Sequence, residues 1–216
     1  MASEQPDPKV KRRARKVLKI LKKRHPEVKT ALRHKNQIQL LVATILSAQC
    51  TDKQVNKVTP ALFARYKNVK DFAESDIKEL QGYVRSTGFY RNKAKNIKAS
   101  SQKIISDFNG KVPKTMEELI TLPGVARKTA NIVLSCGFGI IEGIAVDTHV
   151  KHTSKAMGLT THTNPDKIEQ DLMQLIPKKD WDTFSLLLIH HGREYCKSPK
   201  AKCTECAKAL GLLAII

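Results

Sequence analysis

The sequence predicts an all-α protein. Apolar residues recur at helical spacing along almost the whole chain, and the segments that carry them begin at Ser, Thr, Asp or Asn and stop at Gly or Pro. No run shows the sustained alternation of a half-buried strand. The 216 residues suffice for one large or two small domains, and 41% apolar residues give them a core. No long-period repeat is visible.

Residues 1–8 read as a disordered lead-in. From Lys9 to about Arg24, Val10, Ala14, Val17, Leu18 and Leu21 mark one face of a helix. Lys11, Arg12, Arg15, Lys19 and Lys22 mark the other, which can follow phosphates or simply meet solvent. Residues 37–48 are nearly all apolar and predict a central, buried helix. Thr51 caps a helix carrying Val55, Val58 and Leu62, and Asp76 with Glu79 resembles a capping box for 77–84. Ala94, Ile97, Ile104, Ile105 and Phe108 predict a long helix that Gly110 ends. Thr115 and Glu118 start the next, which Pro123-Gly124 breaks; Ala126 to Cys136 follows, stopped by Gly137. Thr148 to Met157 stops at Gly158. Asn164-Pro165 opens a helix through Ile168, Leu172 and Ile176, and Asp180 caps a last one ending near His191-Gly192.

Charge narrows the function classes. Against 20 Asp+Glu stand 39 Lys+Arg, a net +19, and a surplus of this size implies a polyanionic partner. No apolar run approaches the ~20 residues that span a bilayer, and the longest, from Ile38 to Ala48, contains Gln39. The N-terminus lacks the apolar stretch of a signal peptide, and the five cysteines are not spread as a secreted disulfide framework. The reading is an intracellular, reducing compartment, nucleoid-associated if the source is prokaryotic.

The most informative stretch is Leu122-Pro123-Gly124-Val125-Ala126-Arg127-Lys128-Thr129-Ala130, followed by Val146-Asp147-Thr148-His149. A Pro-Gly turn between helices points backbone N–H groups outward and makes a cradle for one phosphate. Gly124 gives that turn its permissive backbone and Val125 packs it. Lys128 opens the second helix. An arbitrary lysine there is a surface lysine, with a pKa of about 10.4 and little nucleophilicity near neutrality. The positive end of a helix disfavours an ammonium ion, however, and a neutral amine can attack a sugar carbon. Asp147 is the candidate charge partner, although an aspartate before Thr-His is also an ordinary N-cap.

These residues resemble the endonuclease III family, helix-hairpin-helix DNA glycosylases with lyase activity. The likeness is carried by Leu46-Ser47-Ala48-Gln49-Cys50-Thr51-Asp52, Thr87-Gly88-Phe89-Tyr90 with Lys93-Ala94 and Asn96-Ile97, Leu122 to Asn131, Ala145 to His149, and His191-Gly192-Arg193 leading into Cys196. The segments occur in the family's order over about residues 35–206.

The resemblance implies two helical domains with a DNA-binding cleft between them. One is a continuous six-helix block at about 30–141 that holds the hairpin; the other joins 9–29 to 142–216. It also implies the partner: double-stranded DNA with damaged bases or abasic sites, bound by a monomer. Lys128 is the implied nucleophile and Asp147 the implied catalytic carboxylate, which stabilises positive charge on the sugar or helps deprotonate the lysine. Gln49 and Phe89 are implied to fill the gap left by a flipped-out base, against a core-packing alternative for Phe89. Gly124, Ala126, Arg127 and Thr129 are implied DNA contacts. Ala126 departs from the family, which usually has glycine there; the change is harmless if that residue needs no positive φ.

Cys196, Cys203 and Cys206 read C-x6-C-x2-C. The family commonly adds a fourth cysteine six residues on and binds a [4Fe–4S] cluster, but that position is Leu212. A good start without its end suggests an altered or truncated C-terminus, and free thiols are the alternative to a cluster. The leading expectation is a bifunctional glycosylase and abasic-site lyase that removes oxidised pyrimidines. A monofunctional mismatch glycosylase is an alternative, but those relatives typically lack a lysine at the position of Lys128. A non-catalytic helix-hairpin-helix DNA-binding protein is another, and it would need neither Lys128 nor Asp147.

Overall fold

The structure is a computed structural model, and it describes residues 6–195. Eleven α-helices and no strand occur among the described residues. They form two compact units, Thr30–Glu142 and a second made of residues up to Lys29 together with those from Gly143 onward.

Thr30–Glu142 is built around α2 (Gln37–Ser47), in which every residue from Ile38 to Leu46 is buried. Asn36 caps it through the Gln39 amide. Around it lie α3 (Asp52–Arg65), α4 (Val69–Ala73), α5 (Ile77–Val84) and α6 (Tyr90–Phe108). Leu41, Leu46, Val55, Leu62, Phe72, Leu80, Ile97 and Ile104 share one core, with Tyr66 stacked on Phe72 at 5.2 Å. Thr51 caps α3 and Asp76 caps α5 as expected. Helix α4, which the sequence reading leaves unassigned, is held by a capping box of Asn68 and Asp71. Helix α6 ends at Phe108 with two left-handed residues, Asn109 and Gly110, so the stop begins one residue before the glycine.

The hairpin joins α7 (Met116–Leu119) to α8 (Arg127–Ile132). The chain does not stop at Gly137. It continues from α8 as a π-helical stretch, Val133–Phe138, and ends at the left-handed Gly139. Gly137 instead lets α2 approach: a Cβ there would lie 3.2 Å from Leu40, and the Gln37 amide donates to the Gly137 carbonyl at 3.1 Å.

In the other unit α1 (Pro8–Arg24) buries Ala14, Val17, Leu18 and Leu21 and exposes the five basic residues of its other face. Asp7 caps it and Pro8 is its first residue, so the lead-in expected over 1–8 ends sooner, because Asp followed by Pro is itself a helix start. Its neighbours are α9 (Thr148–Ala156), α10 (Pro165–Leu175) and α11 (Trp181–Tyr195). Asn164 and Pro165 open α10 as expected. Asp180 lies in a 3-10 turn that runs into α11, where its carboxylate accepts from the Lys22 ammonium at 2.5 Å. Helix α11 passes through Gly192 and reaches Tyr195, three residues beyond the expected end.

Candidate active site

The hairpin is a tight turn. The Val125 amide donates to the Leu122 carbonyl at 3.1 Å, and Gly124 takes φ +78°. A Cβ on Gly124 would lie 2.7 Å from the Asn96 Nδ2, so backbone conformation and space both require glycine. Helix α6 grips the turn from below, where the Ser100 hydroxyl donates to the Pro123 carbonyl at 2.6 Å. Ala126 sits at φ −92°, extended backbone that alanine adopts freely. Its departure from the family's glycine therefore carries no conformational cost.

Helix α8 opens without a side-chain cap. Those of α1, α2, α3, α4, α5, α7, α9 and α10 each have one. The start of a helix is electropositive and suits an anion. Arg127 and Lys128 are exposed in that turn and Thr129 is half-buried.

Gln49 and Phe89 stand at two corners of the same unit. Gln49 follows α2 at φ 51° and Phe89 precedes α6 at φ 48°. Left-handed backbone at a residue with a Cβ costs about 1–3 kcal/mol and persists only where surroundings enforce it. Gln49 is exposed, and Phe89 is 65% exposed, so Phe89 is not a core aromatic. Both residues line one cavity of about 220 Å³ with Ile45, Ala48, Asn92, Lys93, Asn96 and Gly124. The structure thus brings together Gln49, Phe89 and the hairpin glycine.

Sequence reasoning missed Lys93. It is 5% exposed, and its ammonium donates to the carbonyls of Leu46 and Thr87, each at 2.8 Å. Burial lowers its pKa from the ordinary lysine value, and the neighbouring Cys50 thiol acts the other way. A signal was present: Lys93 falls four residues before Ile97, in phase with the buried stripe Ile97, Ser100 and Ile104.

Asp147 belongs to the other unit. It is the N-cap of α9, with Oδ1 accepting from the Val150 amide at 2.8 Å. The ordinary capping role is therefore real, and it uses one of two carboxylate oxygens. Cys196, Cys203 and Cys206, with position 212, lie outside the described residues. Among the described residues no three His, Cys, Asp or Glu side chains are grouped to hold a metal ion, and Cys50 and Cys136 are free thiols. No described helix is long and apolar enough to cross a membrane.

Residues 42–178 match the HhH-GPD superfamily of base excision DNA repair proteins. The endonuclease III of Synechocystis sp. is 55% identical over 199 residues, which span 92% of this chain and 91% of that protein. The Bacillus subtilis endonuclease III is 46% identical over 182 residues, or 84% of this chain and 83% of its own. A solved non-covalent endonuclease III–DNA complex matches with a TM-score of 0.86 at 40% identity, covering 93% of this chain and 98% of that one. Fold and hairpin define a base excision repair protein of the helix-hairpin-helix class. Within it the chain belongs to the endonuclease III family, DNA glycosylases with abasic-site lyase activity.

Proposed function

We propose that this enzyme removes oxidised pyrimidines from duplex DNA and cleaves the resulting abasic site, with Lys128 as nucleophile and Asp147 as the acidic partner. The observation that carries the reading is Lys128 itself: an exposed amine in the first turn of α8, directly after the tight hairpin turn at Gly124. The neutral amine attacks C1′ of the flipped-out nucleotide, and the C1′–N bond breaks as the base leaves with a proton. The sugar ring opens to an imine. That imine acidifies the C2′ hydrogen; its removal expels the 3′ phosphate, and water then releases the lysine. A hydroxyl in place of the amine could not form the imine. A trapped covalent endonuclease III–DNA intermediate is a solved relative at 40% identity, which supports a covalent route here. Asp147 supplies the carboxylate for charge stabilisation on the sugar or for proton removal. Gln49 and Phe89 occupy the space the base vacates, and Gly124, Ala126, Arg127 and Thr129 meet the backbone.

Cys196, Cys203 and Cys206 would hold a [4Fe–4S] cluster through three thiolates, and with Leu212 at the family's fourth position the set would lack its fourth cysteine. When bound, the cluster would tie together a stretch of sequence that carries Lys197, Lys200 and Lys202, cations that suit phosphate. Such an enzyme works in a reducing, DNA-containing compartment. A duplex with a single oxidised pyrimidine, assayed separately for base release and strand cleavage, tests the function: both are expected, and neither occurring would overturn it. Iron counting after anaerobic purification tests the cluster, with close to four irons per chain expected and none contradicting it.

A further inference from the structure

Helix α6 touches all three parts of the candidate site through one polar row. Lys93, Asn96 and Ser100 are spaced three and four residues apart and so share a face. Ser100 holds the Pro123 carbonyl, Asn96 lies against Gly124, and Lys93 reaches two separate carbonyls.

Those two carbonyls are not arbitrary. Leu46 is in the last turn of α2, where carbonyls have no helical partner and a cation is favoured. Three residues later the chain turns left-handed at Gln49. Thr87 ends the short 3-10 turn before Gly88, and two residues later the chain turns left-handed at Phe89. A single buried ammonium therefore bolts the base of one strained corner to the base of the other.

The strain itself needs such a bolt. Two exposed side chains in αL backbone would relax if their supports were loose. A buried lysine is costly unless its donors are satisfied, so its presence in the core of this unit asks for a reason. An apolar residue of similar length would pack without that cost and would leave both carbonyls unpaired.

We infer that Lys93 is a positioning residue for base extrusion: it fixes the Gln49 and Phe89 corners relative to each other and, with Asn96 and Ser100, to the hairpin, so that both side chains enter a duplex as one rigid wedge. The inference rests on the proposal that Gln49 and Phe89 fill the vacated space. It concerns only the opening of paired DNA. The chemistry at Lys128 does not pass through Lys93.

This separation gives the test. A wedge is needed where a nucleotide must leave a stacked pair, and much less where it is already unstacked. Single-turnover base release is measured on an oxidised pyrimidine paired in a duplex and on the same lesion in single-stranded DNA, for wild type and Lys93→Met, with thermal melting of each protein. Loss of the ammonium is expected to slow the duplex reaction by roughly 10-fold or more and the single-stranded reaction by less than about 3-fold, because only the first includes extrusion. A merely structural role would lower both rates together and leave their ratio unchanged, and that result would overturn the inference. Should the methionine variant show no cooperative melting, Lys93→Gln, whose shorter amide keeps two N–H donors but no charge, carries the same comparison with the same two outcomes. An inactive wild type would instead count against the proposed function, so the two failures are distinguishable.

Discussion

At the scale of single residues, the site is marked by backbone that its side chains do not prefer. Gln49 and Phe89 hold left-handed φ values while exposed, so no burial of their own side chains stabilises those corners. Replacing Gln49 by glycine removes the strain and the side chain together. Gln49→Gly is expected to leave stability unchanged or raise it by up to about 1 kcal/mol, while slowing cleavage of paired DNA. Thermal melting and a duplex cleavage assay check the two halves, and a destabilised but fully active variant would contradict the account. Composition hides these features, because nothing in the letters Gln or Phe announces positive φ. The glycine of the hairpin was legible for the opposite reason: Pro-Gly between two helices has few other uses. Lys93 was legible only as a cation in phase with an apolar stripe, a signal that is easily passed over.

At the scale of elements, capping decided most of what could be read. Thr51, Asp76, Thr115 and Asn164 all cap the helices their spacing predicts. Helix α4 escaped because five residues are too few for periodicity, although its Asn68–Asp71 box was in the sequence. Gly137 misled because close packing on Leu40 and a helix stop ask for the same residue. Asp147 joins this scale to the chemistry, since one carboxylate caps α9 and is also the proposed acid partner. Asparagine caps as well as aspartate, so Asp147→Asn is expected to hold stability within about 0.5 kcal/mol, while Asp147→Ala loses about 1 kcal/mol. Both should lose glycosylase activity by a factor on the order of 10² or more if the carboxylate acts on the reaction. Full activity in the stable asparagine variant would reduce Asp147 to a cap.

At the scale of the whole molecule, charge and chemistry make separate claims. The net +19 implies that affinity for undamaged duplex falls steeply with salt. Several phosphate contacts imply a loss on the order of 10³-fold between about 50 and 200 mM salt, and a flat titration would place the basic residues outside the interface. The division into two helical domains was not legible from helix pattern, which shows where helices start but not which ones pack together. It came from the family resemblance. The central claim is that Lys128 forms a covalent imine with the sugar. Borohydride reduction during reaction with abasic duplex, followed by digestion and identification of the modified peptide, tests it most directly. The account predicts a stable cross-link on the peptide containing Lys128 and none in Lys128→Ala, which should still bind duplex. A cross-link of normal yield in that variant, or one mapped to another amine, would contradict it.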